Sequence, residues 1–392
     1  MNDPVVIVGM ARTPMGGMQG SLSSQSVTDL GATAIKGALS HAGIAADTID
    51  EVLMGCVLPA GAGQAPARQA SIKAGIPDSV PCTTLNKVCG SGMKTIMAGH
   101  DAILAGSASI VVAGGMESMS NAPYLIPQGR GGYRFGHAQI LDHMLYDGLQ
   151  DAYSGGSMGT FAEQCADKFG FSREDQDNFA LESLSRAKAA IANGDFKAEI
   201  TPIVIAGRQG EIIIDTDEQP GKAMPEKIPQ LKPAFKKDGT VTAANSSSIS
   251  DGAAAVVMMR KSLAEEKGLK ILATIEGHAQ HANEPSWFTT APVHAIRKLK
   301  SKLDWTTTDV DLYEINEAFA VVALAAMKEL DIPRDKINIY GGACALGHPI
   351  GCSGARILVT LISALHNTNT KKGIASLCIG GGEATAVGIS IS

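Results

Sequence analysis

Four short segments hold residue types suited to nucleophilic acyl chemistry. The first, Asn86-Lys87-Val88-Cys89-Gly90-Ser91-Gly92, sets a cysteine between an apolar strand-like run and an amphipathic helix. Met93, Ile96, Met97, Ile103 and Leu104 keep helical spacing, which predicts a helix opening near Ser91 with Cys89 just before it. Unpaired backbone N–H groups and the positive end of the helix dipole favour thiolate there, so the thiol is expected below its ordinary pKa of about 8.5. Gly90 and Gly92 are expected to clear the approach for a bulky acyl group. Taken alone, a cysteine in a Gly-rich turn is more often a small buried hydrophobe.

The other three segments lie far along the chain. Gly341-Gly342-Ala343-Cys344-Ala345-Leu346-Gly347-His348-Pro349-Ile350-Gly351-Cys352-Ser353-Gly354-Ala355-Arg356 is a Gly-rich loop feeding a helix and holding one histidine. Cys378-Ile379-Gly380-Gly381-Gly382-Glu383 follows the apolar run from Ile374 to Leu377, and Asn316-Glu317-Ala318-Phe319-Ala320 leads into another amphipathic helix. Two cysteines and a histidine at the ends of separate strands suggest a nucleophile, a base and a second acid/base. Each also has a plainer reading: Asn316 as a helix N-cap, His348 as a loop histidine, Cys378 as core packing.

The elements that must position these residues follow one script twice. A strand at Val5 to Gly9 and a helix with Val27, Leu30, Ala34, Ile35 and Ala38 on one face come first. A strand at Asp50 to Gly55, the Cys89 loop with its helix, and a strand at Ile110 to Ala113 complete the first copy. The second runs through Leu272 to Gly277, a helix with Val293 to Leu299, the strand Val310 to Ile315, the His348 loop with its helix, and Ile374 to Cys378. Such alternation predicts α/β architecture around a largely parallel, buried sheet in duplicated halves. Reactive groups drawn from both copies would meet at the seam. We expect a first half over 1–118, an inserted loop domain over 119–250 and a second half over 251–392. The insert includes a Gly/Pro/Arg-rich segment from Pro123 to Gly136, a helix from Ser172 to a Gly194 stop, and a polar, irregular stretch from Gly207 to Lys237.

Composition excludes several classes. A chain of 392 residues with 45% hydrophobic content can bury a large core. A net charge of −6 gives no reason to expect nucleic acid. No apolar run approaches the ~20 residues that cross a bilayer, so no membrane is expected. The start, Met1-Asn2-Asp3-Pro4, lacks a basic, apolar leader, and the closing Ser390-Ile391-Ser392 is not the peroxisomal tripeptide. Seven cysteines without metal-like spacing fit free thiols in a reducing compartment, so the expectation is a cytoplasmic protein with no metal.

Together the four motifs, in this order, resemble the thiolase family. The resemblance runs the whole chain, from Val6-Ile7-Val8-Gly9-Met10-Ala11-Arg12-Thr13-Pro14 to the last strand. Gly114-Gly115-Met116-Glu117-Ser118-Met119-Ser120-Asn121-Ala122-Pro123-Tyr124 is similar to the acetyl-CoA acetyltransferase branch, which makes or cleaves acetoacetyl-CoA. The resemblance implies two βαβαβαββ halves in a five-layered αβαβα core, with a loop domain that covers coenzyme A and makes homotetramer contacts. It implies acetyl-CoA, acetoacetyl-CoA and CoA as substrates and no separate cofactor. Cys89 would attack the acyl-CoA, His348 would take the thiol proton, and Cys378 would remove the α-proton of a second acetyl-CoA. Asn316 would position a water beside the His348 ring for the enolate oxygen. The backbone N–H groups of Cys89 and Gly380 would hold the oxyanion, with glycine at 380 permitting close approach.

Around the CoA the resemblance implies Ser247 near the pantetheine, with Leu149, Met158, Ala318 and Phe319 beside it. Lys222 and Lys227 stand as candidates for the phosphates, or as solvated surface lysines. The chain departs from many thiolases in Ser157, where they have histidine, and in lacking an evident arginine near Pro220. No tyrosine stands between Asp215 and Phe235, so the potassium site of some relatives is not expected. Phe288 replaces a methionine of many relatives, and would shorten the acyl pocket if it points inward or pack on the loop domain if outward. Glu117 and Glu383 receive no role, and the remaining cysteines read as packing residues. The main rival is a 3-ketoacyl-CoA thiolase of β-oxidation with broader chain length. A ketoacyl synthase would place histidine where Cys378 stands. A non-catalytic acyl-CoA-binding relative would have no need of Cys89, His348 and Cys378 together, and Gly90-Ser91-Gly92-Met93-Lys94-Thr95 lacks nucleotide-loop spacing.

Overall fold

The computed structural model describes residues 3–207 and 210–392. The opening Met1-Asn2 and Arg208-Gln209 of the polar stretch lie outside the described residues. The first half comprises β1 (Val5–Arg12), α1 (Val27–Ala42), β2 (Glu51–Gly55), α2 (Pro66–Lys73), β3 (Cys82–Leu85), α3 (Ser91–Ala105) and β4 (Ile110–Ser118). The insert carries α4 (Met158–Phe169) and α5 (Arg173–Asn193). Next come β5 (Ser250–Arg260), β6 (Ala273–Ala282), α6 (Ala291–Leu303), β7 (Leu312–Ile315), α7 (Ala320–Leu330), α8 (Ser353–Thr368), β8 (Lys372–Ile379) and β9 (Glu383–Ser390).

The strands follow the order β7-β8-β9-β6-β1-β5-β4-β2-β3. Read outward from the β1–β6 junction, the halves repeat each other. On one side lie β1, β5, β4, β2 and β3; on the other lie β6, β9, β8, β7 and a single parallel bridge from Tyr313 to Ile337 in the place of β3. Duplication is therefore visible in strand order. Helices α1 and α2 cover one outer face, α3 and α8 fill the space between the halves, and α6 with α7 covers the other outer face. These are five layers, αβαβα.

Two expectations need correction. The sheet is mixed: β2–β3, β2–β4 and β7–β8 are parallel, while β5 and β9 run antiparallel to both neighbours. Alternation of strand and helix reports only the βαβ units, and the last strand of each half enters without a crossover helix. Because Ser250–Arg260 lies between β1 and β4, it completes the first half and does not open the second, so the expected boundary at 250/251 falls too early. The polar stretch also holds structure, a hairpin of Ile203–Gly207 with Gly210–Ile214 and a short helix Glu218–Lys222.

Local signals behave as their chemistry requires. Ser172 caps α5 and forms a reciprocal capping box with Asp175, and Gly194 ends it at φ 80°. The insert is anchored to the core by a buried charge cluster. Arg12, at the end of β1, donates Nε to Glu199 at 2.5 Å and both terminal nitrogens to Asp217 at 2.7 and 2.9 Å. All three side chains are fully buried, so each depends on the others for the hydrogen bonds water would have made.

The central helices meet at their N-termini through glycine. A Cβ at Gly354 would stand 2.4 Å from the Met93 backbone nitrogen, and one at Gly92 would stand 2.9 Å from both Ala355 N and Gly351 O. Gly92 therefore serves the α3–α8 contact and not, as expected, the substrate's approach. Gly90 likewise packs on Ile379, whose Cδ1 a Cβ would meet at 2.4 Å. Gly354→Ala should cost roughly 1–3 kcal/mol in urea unfolding and lower turnover, since backbone must move to admit the methyl. Gly221→Ala, with nothing within 4 Å of the new Cβ, is the control and should stay within about 0.5 kcal/mol. Equal stability of Gly354→Ala and the parent would refute the close-contact account.

Candidate active site

The loop between β3 and α3 presents Cys89 through a strained turn. Val88 has φ 46°, which a β-branched residue adopts only when its surroundings impose it. Asn86 Oδ1 accepts the Val88 N–H at 2.8 Å, Ser91 Oγ donates to the Val88 carbonyl at 2.7 Å, and the Lys87 N–H donates to Ser91 Oγ at 2.8 Å. Lys87 also pairs with Glu383, tying this turn to the Gly380–Gly382 turn. Helix α3 begins at Ser91, as its apolar spacing predicts.

His348 arrives on the loop ahead of α8, 5% exposed. Its backbone N–H donates to Ser248 O at 3.0 Å. Nδ1 lies 2.5 Å from Ser353 Oγ, whose single proton is directed to the Pro349 carbonyl at 3.0 Å. The serine therefore accepts from Nδ1–H, which leaves the lone pair on Nε2. Among the described residues Nε2 has no partner, and neither has Oδ1 of buried Asn316. Asn316 Nδ2 sits 3.5 Å from the His348 Nδ1. Asn316 is not an N-cap, because α7 begins only at Ala320 behind Phe319. Ser353 and Ser91 occupy the same place at the start of their helices, one fixing the histidine and the other the cysteine turn.

Cys378, at the end of β8 and 1% exposed, completes the group. Cys89, His348, Cys378 and Gly380 line one cavity of about 450 Å³. Leu149, Met158, Ser247, Ala318 and Phe319 line the same cavity. The last three meet because the end of the insert zips onto the segment before α7: Ser247 N–H donates to Ala318 O at 2.9 Å and Ala320 N–H to Asn245 O at 2.8 Å. Phe288 points inward, 3% exposed, its ring edge-on to Phe319 at 6.3 Å. A Cβ at Gly380 would make only ordinary contacts, 3.6 Å to Met158 Sδ and 3.7 Å to Val88 Cγ1, so the missing side chain leaves cavity space. Lys222 and Lys227 are not in this cavity. Lys222 is exposed and paired with Glu218, and Lys227 lines a neighbouring cleft with Met224 and Cys344.

Sequence reasoning missed Phe235, Ser353 and Glu117. Phe235 lines the cavity and stacks edge-on to Phe319 at 6.0 Å. It is the only aromatic between Gly207 and Thr240, a signal that was there to be used. Glu117, fully buried, accepts N–H groups from Val57 at 3.0 Å, Leu58 at 3.1 Å and Gly351 at 2.9 Å. It thereby clamps the His348 loop to the end of β2. Burial lifts its pKa to about 7 against those three bonds. Cys82, expected in the core, is half-exposed on the edge strand β3.

The thiolate expectation for Cys89 is overturned. Desolvation pushes its thiol up to about 11, with the Glu117 charge adding, against the N–H groups of Gly380 and of Cys89 itself. Desolvation likewise raises Cys378 well above the usual thiol range, and desolvation with the Arg356 charge lowers His348 to about 3. A helix dipole acts over one turn and does not offset the desolvation, although Cys89 itself is only half-buried at the cavity wall. The resting site holds two thiols and a neutral imidazole whose free nitrogen can accept a proton.

A comparison with known families finds the thiolase N-terminal domain over residues 5–262 and the thiolase C-terminal domain over 269–391. The chain belongs to the thiolase family. Among its relatives, acetyl-CoA acetyltransferase 2 of Arabidopsis thaliana is 52% identical over 98% of this chain and 96% of its own length. The acetyl-CoA acetyltransferase of Chromobacterium violaceum is 50% identical, covering 98% and 99%. Two crystal structures share the fold: the Acat5 thiolase of Ascaris suum in complex with coenzyme A (TM-score 0.94, 42% identity, 99% of this chain and 100% of that one) and the acetyl-CoA acetyltransferase of Bacillus anthracis (TM-score 0.96, 41%, 99% and 98%). As a thiolase, the protein is an acyltransferase.

Iodoacetamide labelling of Cys89, located by peptide mass mapping, tests the protonation state. Below a pKa of about 11 the thiolate fraction grows about tenfold per pH unit, so the rate should climb steadily from pH 7 to 9. A rate already level below pH 8 would mean a preformed thiolate.

Proposed function

We infer that this thiolase is an acetyl-CoA C-acetyltransferase, condensing two acetyl-CoA to acetoacetyl-CoA and CoA reversibly through an acetyl-Cys89 thioester. The observation that carries this is the meeting of Cys89, His348 and Cys378 in one desolvated cavity, in a chain about half identical to relatives of that name. His348 Nε2 takes the Cys89 proton as sulfur attacks the acetyl carbonyl, with the N–H groups of Cys89 and Gly380 on the oxyanion. CoA leaves as a thiol with the proton of Cys378. That step creates a buried thiolate beside an imidazolium, a base strong enough for an α-proton because its site desolvates it. Cys378 removes that proton from the second acetyl-CoA, and the enolate oxygen faces the protonated His348 ring and Asn316. Attack on the acetyl-Cys89 carbonyl forms the new C–C bond and expels Cys89 sulfur, which recovers its proton from His348. Every group returns to its starting state.

The thioesters act as substrates, and no separate cofactor enters these steps. Met158 and Phe288 line the cavity and would close its acyl side, favouring an acetyl or acetoacetyl group. The unpaired cysteines fit a reducing compartment, and we place the enzyme in the cytoplasm. Among the described residues no helix is long and apolar enough to cross a membrane.

The test is mass spectrometry after acetyl-CoA exposure together with thiolysis kinetics. The acetyl adduct should map to Cys89 and be absent in Cys89→Ser, and kcat/KM for acetoacetyl-CoA should exceed that for 3-ketodecanoyl-CoA by roughly ten- to a hundredfold. An adduct on Cys378 alone would overturn the role assignment, and equal rates on the longer chain would move the enzyme to β-oxidation.

We also propose a homotetramer. Between the short strands Tyr124–Leu125 and Leu141–Asp142, Ile126, Phe135 and Ile140 are more than half exposed, Phe135 entirely so. Apolar side chains so placed need another surface, and a second pair of subunits would supply it. Light scattering at micromolar concentration should give four chains; a monomer mass would exclude this.

A further inference from the structure

Away from the catalytic cavity, α3 and β6 bring together three side chains that no step above uses. His100 and Asp101 lie on α3, nine and ten residues below Ser91 and so about 14–15 Å down the helix from the cysteine turn. His278 lies on β6, in the other half of the molecule. Asp101 Oδ1 is 2.9 Å from His278 Nε2 and 3.2 Å from His100 Nδ1, and one ligand atom of each residue falls within 4.8 Å of the others. The two imidazoles are nearly buried, with side chains 10% and 14% exposed, while Asp101 is 57% exposed and opens the cluster to solvent.

We propose that His100, Asp101 and His278 form a binding site for one divalent transition-metal ion, Zn(II) or Co(II), with a solvent molecule in the open position. Zn(II) binds imidazole nitrogen and carboxylate oxygen at about 2.0–2.2 Å, and tetrahedral ligands at that radius stand roughly 3.3–3.5 Å apart. The two separations from Asp101 Oδ1, 2.9 and 3.2 Å, already lie within a few tenths of an ångström of that edge. Two imidazoles and one carboxylate suit zinc, cobalt or nickel, whereas calcium and magnesium require oxygen shells. Each neutral imidazole can shift its proton to its other nitrogen, so ligation needs no net loss of ring protons. Lys302 is the opposing feature: its Nζ reaches the His278 carbonyl at 3.4 Å, and its charge will hold the affinity to a moderate level. The spacing could not be read from the sequence, because Asp101 and His278 are 177 residues apart. A bound ion would join the helix that begins behind Cys89 to a strand of the second half, and by mass action would raise the unfolding temperature.

The experiment titrates Co(II) into the intact enzyme whose accessible cysteines have been alkylated, following d–d absorption, and measures Zn(II) stoichiometry by equilibrium dialysis. One ion per chain is expected, with a spectrum lacking sulfur-to-metal charge transfer and a rise in melting temperature. Asp101→Asn, a change at a largely exposed side chain, and His278→Gln should each weaken binding at least tenfold, while their unalkylated forms keep parental thiolysis rates. No binding up to millimolar Co(II), or unchanged affinity in both variants, would overturn the proposal and leave the cluster a hydrogen-bonded His–Asp–His array.

Discussion

The close approach of α3 and α8 at their N-termini is the constraint on which the rest of the molecule depends. One helix follows the Cys89 loop and the other the His348 loop, and the two loops converge only if the backbones nearly touch. Gly92 and Gly354 permit that contact, and Gly115 extends it, since a Cβ there would stand 2.0 Å from the Gly351 carbonyl. The halves wrap around this contact, joining edge to edge through β1 and β6. Ser91 and Ser353, equivalent in the duplicated plan, then serve different ends on the two sides. Duplication supplied a symmetric frame, and the residues at the loop tips break the symmetry, with a cysteine on one side and a histidine on the other.

Burial at this seam decides the chemistry. A solvated cysteine at a helix N-terminus would ionise readily, but desolvation outweighs the dipole here and keeps both thiols protonated and the imidazole neutral. In the proposed mechanism charge therefore appears only during turnover, in a place where water screens it weakly and aimed N–H groups count for most. Buried acids hold the frame in register and enter none of the proposed steps. Glu117 clamps the His348 loop, and Glu317 accepts from Ser183 at 2.7 Å, Asn338 at 2.8 Å and the Cys344 N–H at 3.1 Å in the segment leading to it. The Arg12–Glu199–Asp217 cluster does the same for the insert, whose tip carries Ser247 and Phe235 to the cavity.

By itself the sequence displayed the candidate reactive residues and the duplicated plan. Cys89, His348, Cys378 and Asn316 sit in long motifs whose flanking glycines and helical periodicities are local properties, and local properties are what a sequence displays. The α3 start, the Ser172 capping box and the Gly194 stop were legible for the same reason. The chain could not display what depends on distant partners. Strand polarity was misread because β5 and β9 enter without crossover helices, and Gly92 was misread because its contact, α8, lies in the other half. The protonation of Cys89 was misread because desolvation is a property of the packed seam and the dipole a property of one helix. Phe288 faces the cavity because its ring packs on Phe319 and Phe161, and Lys222 and Lys227 turn elsewhere with the fold of the insert. His100, Asp101 and His278 became a cluster on the same terms: folding alone brings α3 against β6.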